Sequence, residues 1–147
     1  MAHKAIDVAK AILRLSEPDK GDIVSNLKLQ KLLYYVQGFS LVILGEPMFE
    51  EEIEAWEYGP VVRDVYCEFK PLGAAAIIPD AELDAGFLSD EQFHLIKEVY
   101  EVYGQFSALR LMHMTHEEPP WKTTYRNGAN SIISHESMRA YFSGVID

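Results

Sequence analysis

Apolar positions along the chain group into short helical stripes, with little of the alternation that marks strands. Ala5, Val8, Ala9, Ile12 and Leu13 share one face of a helix predicted over residues 5–16. Pro18 stops it, and the run from Pro18 to Asp22 reads as a turn. A second helix is predicted from Asn26 to Leu44, with Ser25 or Asn26 as its cap and Gly45 at its C-terminal end. Its stripe holds Leu29, Leu32, Leu33, Val36, Phe39, Leu41 and Ile43, a density that suits the central helix of a core. Lys28 and Lys31 fall off that stripe.

The helical period then breaks. Residues 48–59 read as an extended segment or one small hairpin. Gly59-Pro60 is expected to open a third helix, because proline suits the first helical position. Val61, Val62, Val65, Tyr66 and Phe69 form its inner face, with Cys67 beside the stripe. Residues 70–87 make a long connection. Ser89 and Gln92 form a capping box for a helix carrying Phe93, Ile96, Val99, Tyr100 and Tyr103, which ends at Gly104. Ser107 caps the next helix, the run from Glu117 to Trp121 breaks it, and Asn127-Gly128 is a turn. Ser134 starts a last helix with Met138, Tyr141 and Phe142 inward. The expected fold is mainly α: an irregular orthogonal bundle of about six helices with at most a short β-hairpin, in one domain over residues 1–147.

Composition narrows the function. With 147 residues and 48% hydrophobic positions the chain can bury a sizeable core. Apolar runs such as residues 41–44 are too short to span a bilayer, and the N-terminus lacks the apolar stretch of a signal peptide. The single cysteine, Cys67, forms no internal disulfide and fits a reducing cytoplasm, the expected location. The net charge of −10 disfavours nucleic acid as a partner. Six glutamates and no base lie between Glu46 and Glu57, and residues 80–91 add further acids, a pattern that would attract a basic protein.

Catalytic chemistry finds little support. His113 and His116 share a helix face with Glu117 beside them, so a metal-dependent hydrolase built on these three is one reading. The spacing is not His-Glu-x-x-His, and no further cysteine or histidine cluster stands nearby in sequence. Cys67 has no local histidine, and no glycine-rich phosphate loop occurs. The expectation is a protein that is not an enzyme and carries no metal or cofactor.

Three motifs point further. Leu-Gln-Lys-Leu-Leu-Tyr-Tyr (29–35), Ala-Trp-Glu-Tyr-Gly-Pro (55–60) and Thr-His-Glu-Glu-Pro-Pro-Trp (115–121) occur in that order, separated by helix-sized gaps. Together they resemble the Panacea antitoxin-domain family, the group of SocA-like and GepA-like phage-associated proteins. The resemblance runs from about Leu27 to Phe142. It implies a mainly helical antitoxin that neutralises a partner toxin by direct protein–protein binding, or that delivers the toxin to an ATP-dependent protease as a proteolytic adaptor.

On that basis Trp56, Tyr58, Gly59, Pro60, His116 and Trp121 are the expected partner-binding corner, with Glu50, Glu51 and Glu52 as its charged rim. The same rings could serve only as packing that clamps the hairpin region to the central helix. Alternatives to the antitoxin are a prophage accessory module that binds proteins without any toxin, and the small hydrolase.

Overall fold

The computed structural model describes residues 2–79 and 85–146. The acidic positions between 80 and 84, part of the predicted long connection, lie outside the described residues. The fold is mainly α, with seven α-helices and one three-stranded sheet among the described residues. In chain order these are α1 (Ala5–Leu13), α2 (Asn26–Phe39), β1 (Ile53–Trp56), β2 (Gly59–Val61), α3 (Arg63–Phe69), α4 (Asp90–Tyr103), α5 (Ala108–Glu117), α6 (Pro119–Asn127), β3 (Ser131–Ile133) and α7 (His135–Val145). Ser25, Ser89, Ser107 and Ser134 each accept a backbone N–H at a helix start, and the Ser89–Gln92 capping box is complete.

Helix α2 is the hub. α1, α3, α4, α5, α7 and β2 all pack against it, so nearly every one of its residues is buried. Such a helix would be expected to be apolar all round, yet Asn26, Lys28, Gln30, Lys31 and Gln37 are buried in it. Each of these polar groups bonds to the backbone of a neighbouring segment. Lys28 Nζ donates to the Gly104 carbonyl at 2.6 Å, and Asn26 Nδ2 donates to Tyr66 O at 3.1 Å. Gln37 Oε1 accepts from Met48 N and Phe49 N, while its Nε2 donates to Phe49 O. A buried amide or ammonium is tolerable only when so partnered. Lys28 and Lys31 therefore lie off the apolar stripe without facing solvent, a placement that side-chain pattern alone does not disclose.

Two sequence expectations are corrected here. Gly59-Pro60 belongs to β2, and α3 begins only at Arg63 with Val62 as its cap. The sheet order β2-β1-β3 makes β2 an edge strand, where a residue lacking an N–H costs no ladder bond. Second, the double proline after Glu118 starts a helix as well as ending one: Pro119 and Pro120 occupy the first turn of α6, where their missing N–H groups are not needed. The bundle thus gains a helix over the expected six.

The extended segment expected over 48–59 contains β1, whereas β2 falls on residues expected to start a helix and the third strand was not expected. β3 pairs antiparallel with β1, Ile53 opposite Ile133 and Ala55 opposite Ser131. Three residues are too few to show alternation. Smaller departures are that Leu95 rather than Phe93 faces inward on α4 and that Ile43 is exposed.

The contact between α2 and α7 depends on an absent side chain. Gly38 faces the Phe142 ring so closely that an added Cβ would fall within it, and Phe142 is fully buried against Tyr34, Tyr35 and Phe39. Gly38→Ala is expected to displace α7 and cost about 1–3 kcal/mol, the usual range for overpacking. Thermal melts of the variant check this; an unchanged melting temperature would mean that α7 does not dock as described.

Candidate functional site: the hairpin tip and its aromatic corner

The three motifs that stand apart in sequence bond to one another in space. Lys31 of the first motif sends Nζ to the Pro60 carbonyl of the second, at 3.1 Å. Gln30 beside it accepts from Val62 N at 2.9 Å, just past that motif. Tyr34 and Tyr35 of the first motif donate their hydroxyls to the two carboxylate oxygens of Glu118 in the third, at 2.9 and 2.7 Å. Trp121 of the third closes the circuit, its Nε1 donating to the Trp56 carbonyl of the second at 2.7 Å. Each motif thus holds the other two.

Trp121 is the keystone of the third link. Its ring is 8% exposed and stacked between His116, with centroids 4.0 Å apart, and Tyr125, at 4.7 Å. Burial lowers the His116 pKa below that of an ordinary histidine, while a hydrogen bond with the backbone of Glu57 works the other way. His116 Nε2 is buried without a partner, so the neutral ring is the form that the stack accommodates.

Glu118 sits buried where α5 meets α6, and burial raises its pKa despite hydrogen bonds from Tyr35, Tyr34 and Tyr141. Lys31 is fully buried, and that burial alone depresses its pKa to about 7. These two residues and the paired tyrosines went unassigned in the sequence reading, although all lie inside the quoted motifs. Their signal was charge and hydroxyl in the most apolar segment of the chain.

What the circuit presents to solvent is the tip of the hairpin. Trp56 stands opposite Gly59, so Glu57 and Tyr58 form the tip itself. Trp56 is half-buried: its Nε1 donates to Glu54 at 2.9 Å, the Arg63 guanidinium lies over its face at 5.6 Å, and Tyr66 meets it edge-on at 5.0 Å. Arg63 in turn donates to both oxygens of Glu54, which holds that carboxyl below the usual range. Tyr58 is 60% exposed beside a groove of about 510 Å3 lined by Leu27, Trp56, Tyr66, Lys70 and Asn130.

The predicted site residues therefore divide. Tyr58 is presented, Trp56 is half-presented, and Gly59, Pro60 and Trp121 are buried supports, with His116 in the stack behind them. Glu50 and Glu52 are exposed, but Glu51 Oε1 accepts from Ala5 N at 2.9 Å and so completes the first turn of α1. Glu117 and His113 are exposed. Among the described residues no group of three or more His, Cys, Asp or Glu is placed to hold a metal ion.

Gly59 shows how tightly the tip is set. Its φ of +111° is unfavourable for other residues, and a Cβ would meet Lys31 Cε at 2.5 Å. Gly59→Ala is expected to destabilise by about 1–3 kcal/mol and to loosen the Lys31–Pro60 bond. Hydrogen exchange at Val62, whose amide Gln30 holds, reports the loosening; unchanged protection would contradict it.

Comparison with known proteins places the three motifs within one family. The family described as "Antitoxin SocA-like, Panacea domain" matches residues 29–122, a span that opens at the first motif and closes just past the third. The protein named Antitoxin SocA of Caulobacter vibrioides (strain NA1000 / CB15N) is 36% identical over 110 residues, covering 67% of this chain and 58% of that protein. The chain thus aligns with little more than half the length of that relative. No solved structure matches significantly. The chain belongs to the SocA-like Panacea-domain family. No helix among the described residues is long and apolar enough to cross a membrane.

Proposed function

We propose that the protein is an antitoxin that neutralises a toxin by binding it, with the hairpin tip as its principal contact. One observation carries the reading: all three family motifs engage buried backbone and side-chain bonds beneath a tip that presents Tyr58, 60% exposed beside an aromatic groove. A rigid aromatic beside a concave surface is the usual form of an interface anchor. The relative's name supplies the class of partner. Charge supplies its character: Glu57 is exposed at the tip, and Glu50 and Glu52 are exposed ahead of β1 at the other end of the hairpin, on a chain of net charge −10, which favours a basic toxin.

The test is binding to the product of the neighbouring gene, with growth rescue on co-expression. Tyr58→Ala is expected to speed dissociation about tenfold or more with melting unchanged, because its ring is presented rather than packed. Glu50→Lys with Glu52→Lys is expected to slow association and flatten its salt dependence. Glu51 is left intact, since it caps α1. An acidic partner, or an association rate indifferent to both reversals, would remove the electrostatic half of the proposal. Full growth rescue and tight binding by Tyr58→Ala would remove the other half.

A further inference from the structure

A second concave surface shares no residue with the hairpin groove. It lies between α4, the C-terminal end of α7 and the π-helical turn Ser40–Leu44 that follows α2, and encloses about 210 Å3. Leu95 and Val99 are its buried floor. Ile43, Val102 and Val145 are its exposed rim, at 53%, 52% and 40%. Exposed aliphatics scattered singly need no explanation, but several converging on one depression do. The π turn is a second sign, because this geometry is rare and recurs at functional positions. Here Leu41 remains buried while Ile43 is turned out to the rim.

Charge identifies the occupant. Glu98 is the charged side chain in the lining, exposed and 2.9 Å from His94 on its own helix. A second copy of the chain would bring another Glu98 and a further net charge of −10 to the contact, so like charge opposes self-association. A cationic partner is favoured instead. We propose that this groove docks an amphipathic helix of a partner protein, with apolar side chains at i, i+3 and i+4 on Leu95 and Val99 and a lysine or arginine beside Glu98. The inference stands apart from the toxin reading, because it requires only a basic helix and uses none of the hairpin residues.

The test uses the full chain and a synthetic amphipathic helix of about fifteen residues, leucines along one face and lysines on its flanks, against the same peptide with glutamates for lysines. Fluorescence anisotropy should show saturable binding of the lysine peptide and little of the glutamate one. Val102→Asp, at an exposed position, should weaken the lysine peptide about tenfold or more with an unchanged melting temperature. Glu98→Lys should reverse the preference between the two peptides. Tyr58→Ala should change neither. Equal binding of both peptides, absence of saturable binding, or indifference to Val102→Asp would overturn the proposal. Concentration-dependent dimerisation abolished by Val102→Asp would overturn it in favour of a second copy as occupant.

Discussion

Trp121→Ala is expected to lower the stability of the fold by about 3–5 kcal/mol, the range for emptying a buried tryptophan site. The ring is nearly enclosed, sandwiched between His116 and Tyr125, and its Nε1 holds the Trp56 carbonyl. Deleting it removes packing from both stacks and leaves a carbonyl of the hairpin without its donor. Trp56→Ala should cost less, about 1–2 kcal/mol, because Trp56 is half-exposed and its best contacts, Arg63 and Glu54, reach solvent. Chemical denaturation of both variants measures the difference. Equal losses would mean that the two rings share one packed site, and a mild effect of Trp121→Ala would mean that the third motif is not what anchors the hairpin.

The second large effect is a dependence of stability on pH. Burial depresses the Lys31 pKa from 10.5 to about 7, so between those values the unfolded chain binds one more proton at this residue than the folded chain does. Stability then rises with pH across that window. The limiting slope is about 1.4 kcal/mol per pH unit, or as much as about 3 kcal/mol from pH 7 to 9. Lys28, lowered by its own burial, adds in the same direction.

The pKa values of Tyr100 and Tyr141, both raised by burial, the second to about 12, act oppositely but only near and above pH 10. Glu118 also opposes: its raised pKa favours the folded state in acid and loses that contribution as pH rises past the ordinary glutamate range. Lys31→Met should abolish most of the rise between pH 7 and 9 while leaving Pro60 without its donor. Urea denaturation at several pH values decides it. A wild-type protein with flat stability over that window would show that Lys31 is charged and solvated in the fold.

Legibility from sequence tracked burial and length. α1, α4, α5 and α7 were readable because each has one apolar face, and serine caps marked the last three. α2 was readable as central but not in its detail. Lys28, Lys31, Gln30 and Gln37 look like surface residues in a one-dimensional pattern, and the backbone of segments brought against the helix by folding gives them partners. The prolines misled in two ways. Pro60 has a helix-starting sequence but lies on a sheet edge, and Pro119-Pro120 looks like a break but forms a first turn.

The aromatic corner was legible as a place where the motifs concentrate. It was not legible which ring is supported and which is shown. Trp121 and Tyr58 belong to equally distinctive motifs, and only tertiary packing buries the first and exposes the second.

The most direct test of the central claim is hydrogen exchange on the complex with the neighbouring gene's product, compared with the free protein. If the motif circuit exists to present the hairpin tip, backbone protection should increase at residues 56–58 and along the facing part of α3 around Tyr66. A complex that forms with those segments unprotected would contradict the account, and would move the interface to another face of the bundle.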